Sequence, residues 1–149
     1  MEDFIYLMKT IPLRKDVKQS DKWDLTSLFK TEQDWEVSLS KITEIANKIS
    51  EYQGQIKDSA QKMLEVLKLN EEMEQIAESV GSYAFLLTTT DAGDSTYQDK
   101  QGRYMMAAVE AQTKTCFIVT EIQEIPEEEL KTRMNLPDYA AYKIFLEKL

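Results

Sequence analysis

Histidine is absent from all 149 residues of this chain. That absence removes the Ser-His-Asp and Cys-His triads, the H-E-x-x-H zinc helix and the Glu-x-x-His signature of di-iron bundles. Cysteine occurs once, at Cys116, so no internal disulfide can form and a reducing cytoplasm is the expected compartment. Flanked by Thr115, Phe117 and Ile118 in a helical pattern, Cys116 is read as a small core hydrophobe rather than a nucleophile. Glycine (4) and proline (3) are scarce, and with them any β-hairpin signal. There is no internal repeat and no low-complexity tract. No apolar run approaches the ~18 residues of a membrane span, and Met1–Thr10, with Glu2 and Asp3 and no basic start, is not a secretory signal. A basic stripe is also missing: 18 Lys and Arg face 27 Asp and Glu, a net charge of −9, which disfavours nucleic acid and anionic membrane as partners.

What is present is an ordinary globular composition, 42% hydrophobic and 30% charged. One domain of this length can bury roughly 70% of its unfolded surface. Residues 1–20, with Pro12 and the mixed charges Arg14-Lys15-Asp16, hold no sustained period and are read as an extended N-terminal arm. In Trp23-Asp24-Leu25-Thr26-Ser27-Leu28-Phe29, Asp24 is an N-cap whose carboxylate can take the N–H of Thr26 or Ser27. Leu25, Leu28 and Phe29 at i, i+3, i+4 then give one apolar face, with Trp23 placed to fold back over it.

Four longer periodic stretches follow. Thr31-Glu32-Gln33-Asp34 is a capping-box pattern, and Trp35, Leu39, Ile42, Ile45, Ala46, Ile49 and Tyr52 form the buried stripe of a first helix that Gly54 stops as a left-handed cap. Glu44 and Lys48 add an ion pair on its wet face. A second helix from Asp58 or Ser59 buries Ala60, Met63, Leu64 and Leu67 until Asn70 interrupts it and caps a third. That third helix carries the stripe Met73, Ile76, Ala77, Val80, Tyr83, Ala84 and Leu87, with Glu71, Glu72 and Glu74 read as a solvated acidic face rather than metal ligands. Thr88–Ser95 is the main loop. Its Asp91-Ala92-Gly93-Asp94 fails the calcium-loop spacing, since the sixth residue is Thr96 and the twelfth Gly102, and it serves instead to cap the next helix through Asp94 or Ser95.

The fourth helix, Thr96 to Glu124, is expected to be the longest. Tyr97, Gln101, Tyr104, Ala108, Ala111, Thr115, Ile118 and Ile122 form one stripe, and Met105, Met106, Val109, Cys116 and Phe117 a second beside it. Two apolar faces imply a helix that is sandwiched or has a partner outside the chain. Gly102 inside it is tolerable where another backbone packs close. Pro126 opens a short helix with Glu127-Glu128-Glu129 at its positive end and Leu130 and Met134 facing inward. Asp138 then caps a last helix lining up Tyr139, Tyr142, Phe145 and Leu149. The expected fold is all-α: an antiparallel bundle-like domain of five or six helices, filling residues 1–149.

Trp23-Asp24-Leu25-Thr26-Ser27-Leu28-Phe29, then Trp35, resembles the opening of the oligoendopeptidase F family, zinc metallopeptidases akin to thimet oligopeptidase. Tyr83-Ala84-Phe85-Leu86-Leu87, Asp91 to Tyr97-Gln98, Ile125-Pro126-Glu127-Glu128-Glu129-Leu130, and Tyr139 to Leu149 follow in the same order. The resemblance covers nearly all of the chain after Ile11 and concerns the family's N-terminal helical region; the zinc-binding half is absent from this chain. It implies a parent enzyme that uses zinc to cleave short extended peptides, in which this lobe forms a wall or lid of the substrate channel. The implied partners are a downstream catalytic domain of the same protein and its oligopeptide substrate. No position matches the family's H-E-x-x-H motif, so no catalytic or metal-binding residue carries over, and the chain alone is expected to be no enzyme. Trp23, Asp24, Leu25, Leu28, Phe29 and Trp35 carry over as a structural motif only. The alternative is a free-standing acidic helical module that binds a protein partner through its spare apolar face; separately, the second stripe of the fourth helix, or the last helix around Tyr142 and Phe145, is expected to be exposed or engaged in self-association. Intrinsic catalysis is the weakest reading: Glu127 and Glu128 are adjacent, hence on different helical faces, and cannot converge as an acid–base couple.

Overall fold

The computed structural model describes residues 14–149; Met1–Leu13 of the expected arm, Pro12 among them, lie outside the described residues. Helices and short 3₁₀ turns make up all the regular structure described, with no strand. Three 3₁₀ turns, Arg14–Asp16, Gln19–Asp21 and Leu25–Ser27, lead into α1, Glu32–Ser50. The capping box forms as the sequence suggests: the Thr31 hydroxyl accepts from Asp34 N–H and the Asp34 carboxylate from Thr31 N–H. Trp35, Leu39, Ile42, Ile45, Ala46 and Ile49 are all buried, Tyr52 is half-buried, and Glu44 and Lys48 pair at 2.7 Å. α1 ends at Ser50, four residues before Gly54, and the chain turns over 51–55 with Gly54 at φ +81°.

The next element departs from expectation. α2 runs unbroken over Ala60–Thr90, 31 residues, and is the longest helix. Ser59 caps it by accepting from Lys62 N–H. Asn70 neither interrupts nor caps: its side-chain amide donates to Glu74 Oε1, 2.8 Å away along the same helix, while Leu67 and Met73 on either side are buried. An asparagine's helix preference is only modestly poor, and burial on both sides outweighs it. The expected loop from Thr88 is likewise shorter, because Thr88, Thr89 and Thr90 stay helical and donate their hydroxyls to the carbonyls of Phe85, Leu86 and Leu87. Only Asp91–Asp94 separates α2 from α3, Ser95–Thr115, and Asp94 caps α3 by accepting from Thr96.

The expected fourth helix is two. After Cys116 the chain resumes as α4, Phe117–Gln123. At this turn Thr113, Thr115 and Cys116 donate to the carbonyls of Val109, Gln112 and Thr113. Cys116 is exposed there, so its reading as a core hydrophobe is wrong. α5, Glu127–Met134, starts one residue after Pro126. The last segment is a 3₁₀ stretch, Pro137–Tyr142, leading into the single turn α6, Lys143–Leu146. Asp138 is not its cap, because Pro137 starts the turn and Leu136 takes the capping position. Tyr139 and Leu146 are buried there, and Phe145 and Leu149 are exposed.

α1 and α2 run antiparallel, as the Trp35–Val80 and Lys41–Glu72 contacts show, and α3 returns parallel to α1. Lys100 meets Glu32, Arg103 meets Glu36 and Lys114 meets Asn47, a nearly constant offset along the two helices. The α5–α6 segment covers the first half of α2: the Tyr139 hydroxyl donates to Ala60 O at 2.5 Å and the Tyr142 hydroxyl to Glu71 at 2.6 Å.

The expected close approach at Gly102 does not occur among the described residues; nothing from outside its own helix lies within 4 Å of where its Cβ would stand. It occurs at Gly81 on α2, where a Cβ would fall 2.4 Å from Tyr104 Cζ of α3. The two glycines are therefore expected to respond oppositely to alanine. Gly81→Ala should destabilise by about 1–3 kcal/mol through overpacking, while Gly102→Ala should stabilise the monomer by about 0.5–1 kcal/mol. Chemical denaturation of both variants checks this, and equal effects would contradict the packing described.

Candidate functional site

The motif residues from Trp23 to Trp35 divide sharply. Asp24 accepts from Thr26 N–H at 3.0 Å and Thr26 Oγ1 at 2.6 Å, and these bonds hold its carboxyl below the ordinary value. The turn it caps is a single 3₁₀ turn, too short to offer a second apolar row. Trp23 consequently does not fold back and is 60% exposed; Leu25 is half-buried and Leu28 exposed. Phe29 makes the anchoring contact, standing edge-on to Tyr83 with ring centres 5.4 Å apart.

Trp35 is fully buried where α1, α2 and α3 meet. Its indole N–H donates to Val80 O at 3.1 Å. Lys100 Nζ lies 4.4 Å from the ring centre and the Arg103 guanidinium 5.4 Å, so the ring is bounded by two cations. Glu32 and Glu36 balance them: Lys100 Nζ reaches Glu32 at 2.6 Å and Arg103 grips both Glu36 oxygens. The hydrogen bond from Arg103 is the main reason the Glu36 carboxyl sits below its ordinary value.

A second polar cluster closes the opposite end of α1, and no periodicity argument had singled it out. The buried Ile56, in the 3₁₀ turn Ile56–Asp58, donates its N–H to Glu121 and receives Arg133 Nη1 on its carbonyl, both at 3.2 Å. Glu121 also accepts from Gly54 N–H, and Arg133 also donates to Lys57 O at 2.7 Å and to Glu129. Glu121 is 8% and Arg133 5% exposed. A signal existed: Glu121 follows Ile118 by three residues and Arg133 follows Leu130 by three, so each charge occupies an apolar helical phase.

Neither cluster is laid out for catalysis. Both oxygens of Glu121 accept from backbone N–H, and Arg133 faces two carbonyls and the Glu129 carboxylate. Glu71, Glu72 and Glu74 go to separate partners, Tyr142, Lys41 and Asn70. Glu127 and Glu128 share only Lys131. Among the described residues no group of three or more His, Cys, Asp or Glu converges. With no imidazole in the chain, and a single thiol whose Sγ bonds Thr113 O, the residues present do not fit a zinc centre.

What the described surface offers is apolar. On α3, Met105, Met106 and Val109 are 56%, 74% and 64% exposed, and with Leu39, Ser40 and Thr43 of α1 they line an open groove. A smaller groove between α5 and α6 is lined by Leu130, Met134, Leu146 and Leu149. No helix among the described residues is long and apolar enough to cross a membrane.

No family model matches the chain. It is 29% identical to oligopeptidase PepF of Bacillus subtilis over 93% of its own length and 22% of that protein. It is 24% identical to group B oligopeptidase PepB of Streptococcus agalactiae over 91% of the chain and 23% of the relative. Against the chromosomal oligoendopeptidase F of Lactococcus lactis subsp. cremoris it is 31% identical over 60% of the chain and 15% of the relative. A crystal structure of a "putative peptidase" from Chlamydophila abortus superposes with a TM-score of 0.82 at 19% identity, over 91% of the chain and 23% of that chain, and shares its fold. The chain thus spans less than a quarter of the length of the curated relatives it matches, and it resembles one region of larger oligopeptidases.

Two variants test the polar clusters. Glu121→Gln leaves one of the two backbone N–H groups without a carboxylate acceptor and should destabilise by about 1–3 kcal/mol with helix content retained. Glu36 predicts a pH response. A carboxyl lowered by folding contributes stability that is complete above its ordinary value of 4.5 and is lost as pH falls through the lowered folded value. The melting temperature should therefore drop on acidification, and Glu36→Gln should flatten that limb. An unchanged acid limb would mean that the Arg103–Glu36 bond does not contribute.

Proposed function

We propose that this chain is the N-terminal helical lobe of an oligoendopeptidase F-like zinc metallopeptidase of the cytoplasm. The supporting observation is the extent of the likeness: it runs along 93% of this chain but only 22% of oligopeptidase PepF. In that reading the bond-breaking machinery belongs to another part of the protein. The lobe is a wall or lid of the channel that admits short unfolded peptides, and the two internal clusters keep it rigid. Zinc and its activated water belong to the downstream catalytic domain, where an H-E-x-x-H helix would supply imidazoles that this chain lacks. The alternative reading, a free-standing protein-interaction module, is favoured by one feature, the exposed Met105, Met106 and Val109 stripe.

The test replaces the matched stretch of Bacillus subtilis PepF with this chain and follows zinc-dependent cleavage of a quenched fluorogenic oligopeptide. The chimera is expected to hydrolyse the peptide where a PepF deletion lacking that stretch does not. The chain alone, with zinc, is expected to be inert. Zinc-dependent turnover by the chain alone, with contaminating proteases excluded, would overturn the non-catalytic role. A chimera that folds and binds zinc but cleaves nothing would count against the lobe assignment.

A further inference from the structure

The exposed stripe of α3 has a charged edge with an unusual order. Asp99, Arg103, Glu110 and Lys114 follow one another along the flank that faces α1, and their signs alternate. Read from the other end the signs are inverted at every position. In an antiparallel helix pair equivalent flanks face each other, so a second copy of α3 meets this edge with opposite charges throughout: Asp99 against Lys114, Arg103 against Glu110. The same register puts the two-fold axis between Met106 and Ala107, with Gly102 on the same outward side of the helix as Met106 and Val109.

Gly102 supplies an independent observation. A glycine inside a helix is less favourable than alanine, yet nothing beyond its own helix comes within 4 Å of its missing Cβ among the described residues. Among the described residues nothing fills the vacancy. Against a second α3 the missing side chain lets the two backbones approach.

We propose that this chain forms an isologous two-fold dimer, with α3 packed antiparallel against α3 of a second copy through Met105, Met106 and Val109. Arg103 and Lys114 are already fixed at the edge, by Glu36 and by Glu110 with Asn47, and the carboxylates of Asp99 and Glu110 are 66% and 50% exposed. The apolar stripe provides the affinity and the charges select the register, since exposed pairs contribute little each. One helix of 21 residues, about 32 Å long, makes a small interface, so association is concentration-dependent. This inference does not rest on the peptidase reading.

Sedimentation velocity of the 149-residue chain across a wide concentration range tests it. A reversible dimer is expected, weakened about tenfold or more by Met106→Asp, and weakened also by Gly102→Leu. Asp99→Lys should weaken it by placing like charges together, and Asp99→Lys with Lys114→Asp should restore it, each variant first checked for helicity and melting temperature. In a Cys116→Ser background, Met106→Cys should form an intermolecular disulfide under mild oxidation, because only residues at the axis come close enough. A strict monomer, or a dimer indifferent to Met106→Asp and Gly102→Leu, would overturn the proposal. So would a monomer that instead binds matched-stretch-deleted PepF through Met106 and Val109, an outcome that leaves the peptidase reading intact.

Discussion

The Trp35 indole is the point on which the three long helices depend. Its N–H donates to Val80 O and thereby fixes how far α1 is advanced along α2. The next residue, Gly81, has no side chain, and Tyr104 of α3 occupies the space. One level of the bundle thus sets the register of α2 against both neighbours. The cations over the ring, Lys100 and Arg103, tie α3 to Glu32 and Glu36 of α1 and keep those two helices parallel and in step. A buried tryptophan removes a large apolar surface from water, but its hydrogen bond gives the burial a direction that burial alone lacks.

The opposite end is closed by a different device. The chain between α1 and α2 must turn sharply and still bury Ile56, which leaves main-chain groups away from water. Glu121 takes the N–H side and Arg133 the carbonyl side, from two different helices. Burying either ion alone would be strongly unfavourable, and each is tolerated because its hydrogen-bonding groups meet backbone partners or a paired carboxylate. The strongly acidic surface is separate from this interior arrangement: most of its carboxylates pair with lysines one turn away or stand in water.

These two clusters brace a helical body that has apolar grooves and, among its described residues, no group of three or more His, Cys, Asp or Glu placed to hold a metal. A rigid part with exposed apolar faces is suited to shaping a larger protein or meeting another surface. Its likeness to one region of oligopeptidases several times its length agrees with the first of these. The order of charges beside the α3 stripe points to the second, and the two uses are not mutually exclusive.

What the sequence by itself determined is local. The capping box at Thr31, the cap at Asp24, the caps of α2 and α3 to within one residue (Asp58 or Ser59, Asp94 or Ser95), the α1 stripe and the inward phase of α2 all follow from contacts within one or two turns, where spacing and side-chain chemistry suffice. The all-α class and the order of helices followed from them. Only the tertiary structure decided whether a weak local signal prevailed. Asn70 was overridden by burial on both sides of it, while a helix that periodicity alone would continue is interrupted at Cys116. Trp23 and Trp35 belong to one motif, yet one is exposed and the other buried, because only Trp35 finds a carbonyl on a second helix. Glu121 and Arg133 sit on apolar phases, and their partners around Ile56 lie 65 and 77 residues away, a separation at which no local pattern carries information.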